Sequence, residues 1–271
     1  MTNVGSWLKT AGKGGFDLFL LKLTNRQIKG DKPILFATAA LHGQELATSE
    51  LLLRFAEKLV AEYNVDADST WLLDHQEVHL LLIANPDGRE KSQPGYWVRK
   101  NVDLRFCSNK PKPASNNPGV DLNRNFSYKW GCCGGSSTTP CVDTFRGEKA
   151  DAEPETGAIE RYITGHFEKR ERSRWKKKVI DDLPGLYLDI HSSGQLVLWP
   201  WGYNSSPAPN EQQFQTIGRK LAYFNKYTPQ QSAQYTVNDG TATEFGYGEI
   251  GLVSLLIEVG THQQESCEYF H

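Results

Sequence analysis

Short apolar or alternating runs, bounded by Gly, Pro and Asn, recur at Phe16 to Leu23, Pro33 to Leu41, Val78 to Ala84, Leu186 to Ile190, Leu196 to Trp199 and Leu252 to Ile257. Runs of that length and punctuation predict β-strands. Between them apolar residues return at helical intervals. Leu52, Phe55, Ala56, Leu59, Val60 and Tyr63 make one stripe, so the segment after Glu45 predicts an amphipathic helix. Pro154 suits a first helical turn, and Ile159, Tyr162, Ile163, His166 and Phe167 continue a second helix from it; Phe214, Ile217, Leu221 and Phe224 mark a third. Strands that are apolar almost throughout need cover on both faces, so the alternation predicts an α/β fold with a mixed, mostly parallel sheet between helices. The polar stretch from Gln93 to Gly147 breaks the pattern and predicts loops over one sheet edge, where function concentrates.

With 271 residues, 38% of them apolar, the chain can bury a sizeable core as one domain over residues 1–271. Thirty Lys and Arg against 32 Asp and Glu leave a net charge of -2, which gives no general attraction to nucleic acid or an anionic membrane. No apolar run approaches the roughly 20 residues of a membrane helix. Neither nucleic acid nor membrane is expected as a partner, and a monomer is the expectation. The start, MTNVGSWLKTAGKGG, has no apolar core behind a basic end and so reads as lacking a secretory signal. Cysteines at 107, 132, 133, 141 and 267 nevertheless predict disulfides, with one cysteine left over, because Cys132-Cys133 cannot supply the paired C-x2-C geometry of a zinc finger. That places the protein in a secreted or periplasmic setting.

Chemistry gathers at the predicted strand ends. His42-Gly43-Gln44-Glu45 follows one strand and opens a helix, where an imidazole and a carboxylate can face one ion. Alone, that pair is equally an acidic residue suited to a helix N-terminus. His191 leaves the strand LYLDI in the same sense and offers a third ligand; taken singly it is an ordinary core histidine. Two histidines and a glutamate leave one tetrahedral position open, the mark of a catalytic rather than a structural zinc. Glu258 ends an apolar strand, where a charge is costly without a task, so it reads either as a general base for zinc-bound water or as the partner of an arginine. Arg99 and the pair Asn123-Arg124 lie in the loop region, where guanidinium forks match a carboxylate and a fixed cation can hold an oxyanion.

Together these residues resemble the carboxypeptidase A/B family of zinc metallocarboxypeptidases. The likeness rests on HGQE at 42, NPDG at 85, Arg99, GVDLNRN at 119, IHSSGQLVLWPWG at 190 and the closing IE at 257, in that order, from about Phe16 to the end. The resemblance implies a carboxypeptidase-like twisted sheet of about eight strands and removal of single residues from the C-termini of peptides and proteins. It implies one Zn2+ per chain on His42, Glu45 and His191, Glu258 as base, Arg99 at the carbonyl, Asn123 and Arg124 on the terminal carboxylate, and Asp121 orienting His42. Tyr235 would be the substrate-capping tyrosine, although ungapped counting back from Glu258 reaches Thr236. Thr243 falls where side-chain preference is set, and is neither acidic nor large and apolar. The family normally extends further at both ends, so the chain reads as trimmed. Competing readings are a zinc amidase or endopeptidase acting on peptidoglycan-type peptides or N-acyl amino acids, and a binding module that keeps the fold without catalysis. The HQEVH run at His75 is set aside as ordinary strand residues, the basic run Lys169 to Lys178 as a solvated helix end or family-specific insertion, and His262 and His271 for want of a supporting pattern.

Overall fold

The apolar runs assemble into one sheet. In the computed structural model, which describes residues 4–107, 118–167 and 185–264, its strands are β1 (Leu21–Leu23), β2 (Ile34–Ala39), β3 (Glu77–Leu81), β4 (Gly185–His191), β5 (Leu196–Trp199), β6 (Thr228–Gln231) and β7 (Val253–Glu258). They lie in the order β1-β3-β2-β4-β7-β5-β6. The central strands β3, β2, β4 and β7 are mutually parallel; β1 and β5 enter antiparallel to β3 and β7, and β6 runs parallel to β5. The expected mixed, mostly parallel sheet is present, with seven strands among the described residues where about eight were expected.

The helices are α1 (Trp7–Thr10), α2 (Leu46–Glu62), α3 (Ala67–His75), α4 (Pro86–Ser92), α5 (Pro154–His166), α6 (Glu211–Asn225), α7 (Ser232–Tyr235) and α8 (Ala242–Glu244). Strand alternation divides the core between the two sheet faces. Ala37 and Ala39 of β2 with Ile190 of β4 meet Leu52, Ala56 and Leu59 of α2 and Leu73 of α3. On the same face Val197, Trp199 and Leu255 pack against Phe214 and Ala222 of α6. On the other face Phe36 and Tyr187 meet Ile159, Tyr162 and Ile163 of α5. The Phe36 ring lies 4.5 Å from Tyr162 and 5.2 Å from Tyr187, centroid to centroid, and burial of such a side chain contributes about 1.5–3 kcal/mol.

Several expectations are corrected. Of the run from Phe16, only Leu21–Leu23 pairs as strand, and Phe19 is exposed. The HQEVH run is not one strand: His75 ends α3, and His79 lies in β3 with its ring buried against Tyr162. The disulfides, by contrast, are as expected: Cys107 bonds to Cys141 and Cys132 to its neighbour Cys133. Cys267, His271 and the basic run Lys169 to Lys178 lie outside the described residues.

Candidate metal centre

The parallel strands β2, β4 and β7 end at the same edge, which makes the crevice beyond their carboxyl ends the natural place for a ligand. After β2 the chain turns sharply through His42-Gly43-Gln44-Glu45 before α2 begins. Gly43 is required there, since a Cβ would come within 2.6 Å of the Gly88 carbonyl oxygen and 2.7 Å of that of Val98. Asn85 binds the turn to its surroundings: its side-chain oxygen caps α4 by accepting from Gly88 N at 3.0 Å, while its amide donates to the carbonyls of Leu41 and Lys100. The NPDG segment thus locks the His42 turn against the irregular stretch that carries Arg99.

Three buried side chains converge at this edge. His42 Nδ1 is 2.7 Å from Glu45 Oε1, His191 Nδ1 is 3.0 Å from Glu45 Oε2, and the two Nδ1 atoms are 3.1 Å apart. One donor atom from each lies within 4.8 Å of the others. The far nitrogen of each ring is held by a carboxylate: His42 Nε2 by Asp121 Oδ1 at 3.1 Å, His191 Nε2 by Asp189 Oδ2 at 2.8 Å. Anchoring Nε2 fixes both rings with Nδ1 turned inward, which is how imidazoles are prepared for a cation. Two nitrogens and a carboxylate, buried and backed in this way, fit zinc. Burial works against a charged Glu45, yet the two imidazoles hold its carboxyl down to about 2. Burial also opposes the charge on Asp121, and Arg99 with His42 overrides it, keeping that carboxyl well below its usual range. His191 is driven well above the ordinary imidazole value because Asp189 and Glu45 outweigh its burial.

Of the remaining expected residues, Glu258, Arg99 and Asn123 adjoin this cluster. Glu258 is the register partner of His191 across β4 and β7, so the two side chains leave the same sheet face side by side. Burial raises its carboxyl to about 7; Glu45 adds to that, while His191 and Arg99 oppose it. Arg99 places both Nε and Nη2 at 3.0 Å from Asp121 Oδ2, a two-point grip that fixes the guanidinium plane. The Asn123 amide nitrogen is 3.2 Å from His191 Nε2, and its oxygen accepts from Ala242 N. Arg124 donates from Nε to Gly135 O at 2.9 Å and from Nη1 to Asn123 O at 2.6 Å. Thr243 is buried in α8, next to the residue that bonds Asn123. Tyr235, at the end of α7, is half-exposed.

Asp189 escaped the sequence reading, although its position two residues before His191 on one strand puts both on one face, a usable signal. Thr38 of β2 holds its other oxygen at 2.6 Å.

The zinc carboxypeptidase family matches residues 12–269. This chain belongs to that family. It is 28% identical over 253 residues to the zinc carboxypeptidase of Saccharothrix mutabilis subsp. capreolus, covering 89% of this chain and 54% of that protein. Metallocarboxypeptidase A of Trichophyton rubrum is 32% identical over 197 residues, 72% of this chain and 42% of its own. Among solved structures, carboxypeptidase A of Helicoverpa armigera superposes with a TM-score of 0.74 at 26% identity, covering 95% of this chain and 58% of that one. Thrombin activatable fibrinolysis inhibitor shares the fold with a TM-score of 0.75 at 20% identity, over 96% of this chain and 61% of that one. The chain spans about half the length of the curated relatives it matches.

Proposed function

We propose that the chain is the catalytic domain of a zinc-dependent metallocarboxypeptidase that hydrolyses the last peptide bond of peptides and proteins. The observation that carries this reading is the convergence of His42, Glu45 and His191 on one buried point beside Glu258. His42, Glu45 and His191 would hold one Zn2+. Bound there, zinc supplies a Lewis acid that lowers the pKa of water toward about 7 and polarises a carbonyl.

The chain's own groups supply the rest. Glu258, beside the donors, accepts a proton from the attacking water and returns it to the leaving amine, the two transfers of a general acid–base group. Arg99, held rigidly by Asp121, donates to the carbonyl oxygen as charge develops on it. Asn123 and Arg124 grip the terminal carboxylate, Tyr235 closes over the substrate and Thr243 meets the departing side chain. The protein works as a monomer, and two disulfides favour an oxidising compartment, hence secretion or a periplasm.

Amidating the substrate's terminal carboxylate tests the reading. A carboxypeptidase anchored through Arg124 loses nearly all turnover on the amide, whereas an amidase or endopeptidase anchored elsewhere keeps it. Metal analysis of the same preparation should return one zinc per chain, and a zinc-free chain of full activity would refute the assignment.

A further inference from the structure

Asp239 lies just before α8, fully buried, and none of the chemistry above uses it. A buried carboxylate demands donors, and this one takes them from a single distant loop. Its Oδ2 accepts from Cys133 N at 3.0 Å and Gly135 N at 3.1 Å, and its Oδ1 accepts from the Ser136 hydroxyl. The residue it holds is the one that Arg124 leans on. Gly135 gives its N–H to Asp239 and its carbonyl to Arg124 Nε, so the two bonds flank one Cα and the second cannot move without straining the first.

Packing closes the arrangement. A Cβ on Gly135 would overlap the backbone of Asn238, so the loop is pressed directly on the strand of chain that carries Asp239. Gly240, with φ +65, runs so close to Arg124 that a Cβ would sit 2.5 Å from its carbonyl oxygen, and Gly240 O accepts from Phe126 N at 3.0 Å. Residues 238–240 are therefore clamped between the Arg124 segment and the Cys132–Cys133 loop. With Nε held by Gly135 O and Nη1 by Asn123 O, the guanidinium plane is fixed by two backbone carbonyls, one of which depends on Asp239.

We propose that Asp239 is a positioning residue for substrate binding: through the Cys133–Ser136 loop it orients the Arg124 guanidinium toward the substrate's terminal carboxylate. This rests on the reading of Arg124 as the carboxylate anchor. The negative charge of Asp239 also counters the burial that weakens the charged form of Arg124.

The test is steady-state kinetics on a peptide with a free C-terminus, with the same peptide's amide as competitive inhibitor. Asp239→Leu, which strips both amides of their acceptor, should raise KM about tenfold, the loss expected from charge-assisted bonds, with kcat changed less than about threefold. Asp239→Asn keeps an oxygen for the two amides and should stay within about threefold of the parent KM. Ser136→Ala removes one donor and should fall between them; with Asp239→Asn it carries the test if Asp239→Leu fails to fold. The amide's inhibition constant should not move, because it has no carboxylate to be anchored. The proposal is overturned if Ser136→Ala and Asp239→Leu keep the parent KM while Arg124→Ala raises it, or if free acid and amide weaken together. If Arg124→Ala itself leaves KM unchanged, the anchor reading falls first.

Discussion

Each imidazole at the centre has two nitrogens, and the carboxylates decide which of them faces inward. Asp121 performs that task for His42 while also gripping Arg99, so one side chain couples the metal donors to the residue assigned to the carbonyl. Asp121→Asn should therefore lower zinc affinity by about 10–100-fold, read by competition with a chelator. The same substitution frees Arg99 to swing, so activity should fall further than zinc occupancy alone explains. Glu258 differs because no metal donor leans on it. Glu258→Gln should reduce kcat by roughly 10²–10⁴-fold, the range for loss of a general acid–base group, with zinc content unchanged by metal analysis. A Gln variant that keeps parental kcat would remove Glu258 from the chemistry and return it to the role of arginine partner.

At the level of elements, the site depends on how turns are tied to strands. Asn85 joins the start of α4, the His42 turn and the Arg99 stretch through three bonds. Asn85→Ala should destabilise the chain by about 1–2 kcal/mol in urea unfolding, since it removes a cap and leaves Leu41 and Lys100 short of a donor. The elements that carry the metal donors were open to reading from the chain because their apolar runs are dense and end in polar turns, as at Ile34–Ala39 and Gly185–His191. Others carried no such signal. β6 is Thr-Pro-Gln-Gln at the sheet edge, paired among the described residues only with β5, and needs no apolar pattern. α3 bunches Trp71, Leu72 and Leu73 together instead of spacing them, and buries only Ser69 and Leu73. Within the site, His42, Glu45 and His191 could be found because strand ends bring them to one edge. Asp239 could not: its partners lie more than 100 positions away in an irregular loop, and no local spacing encodes that meeting.

Over the whole molecule, the carboxylates away from the metal donors set a pH dependence of stability. Burial raises Glu155 and Glu160 to about 7 and Glu153 and Glu244 to about 8, with neighbouring Asp103 adding to Glu153. In the unfolded chain each reverts to the ordinary glutamate value of 4.5. Between those limits the folded state holds protons that the unfolded state has released, so stability falls as pH rises, most steeply from about 5 to 8. Below about 5 the contribution of these groups is fully present; the opposing loss comes only at lower pH, as Glu45 and Asp121 begin to protonate. Glu160 isolates one member of the set, since it is 8% exposed and its carboxylate accepts from the Ser127 amide and hydroxyl. Glu160→Gln keeps an acceptor for the amide and cannot ionise, so urea unfolding should show a shallower decline from pH 5 to 8 than the parent. The gap should reach the order of 3 kcal/mol at the alkaline end for a shift of this size. Curves that stay parallel across the range would mean that Glu160 is already ionised in the folded protein and that its burial is relieved by water.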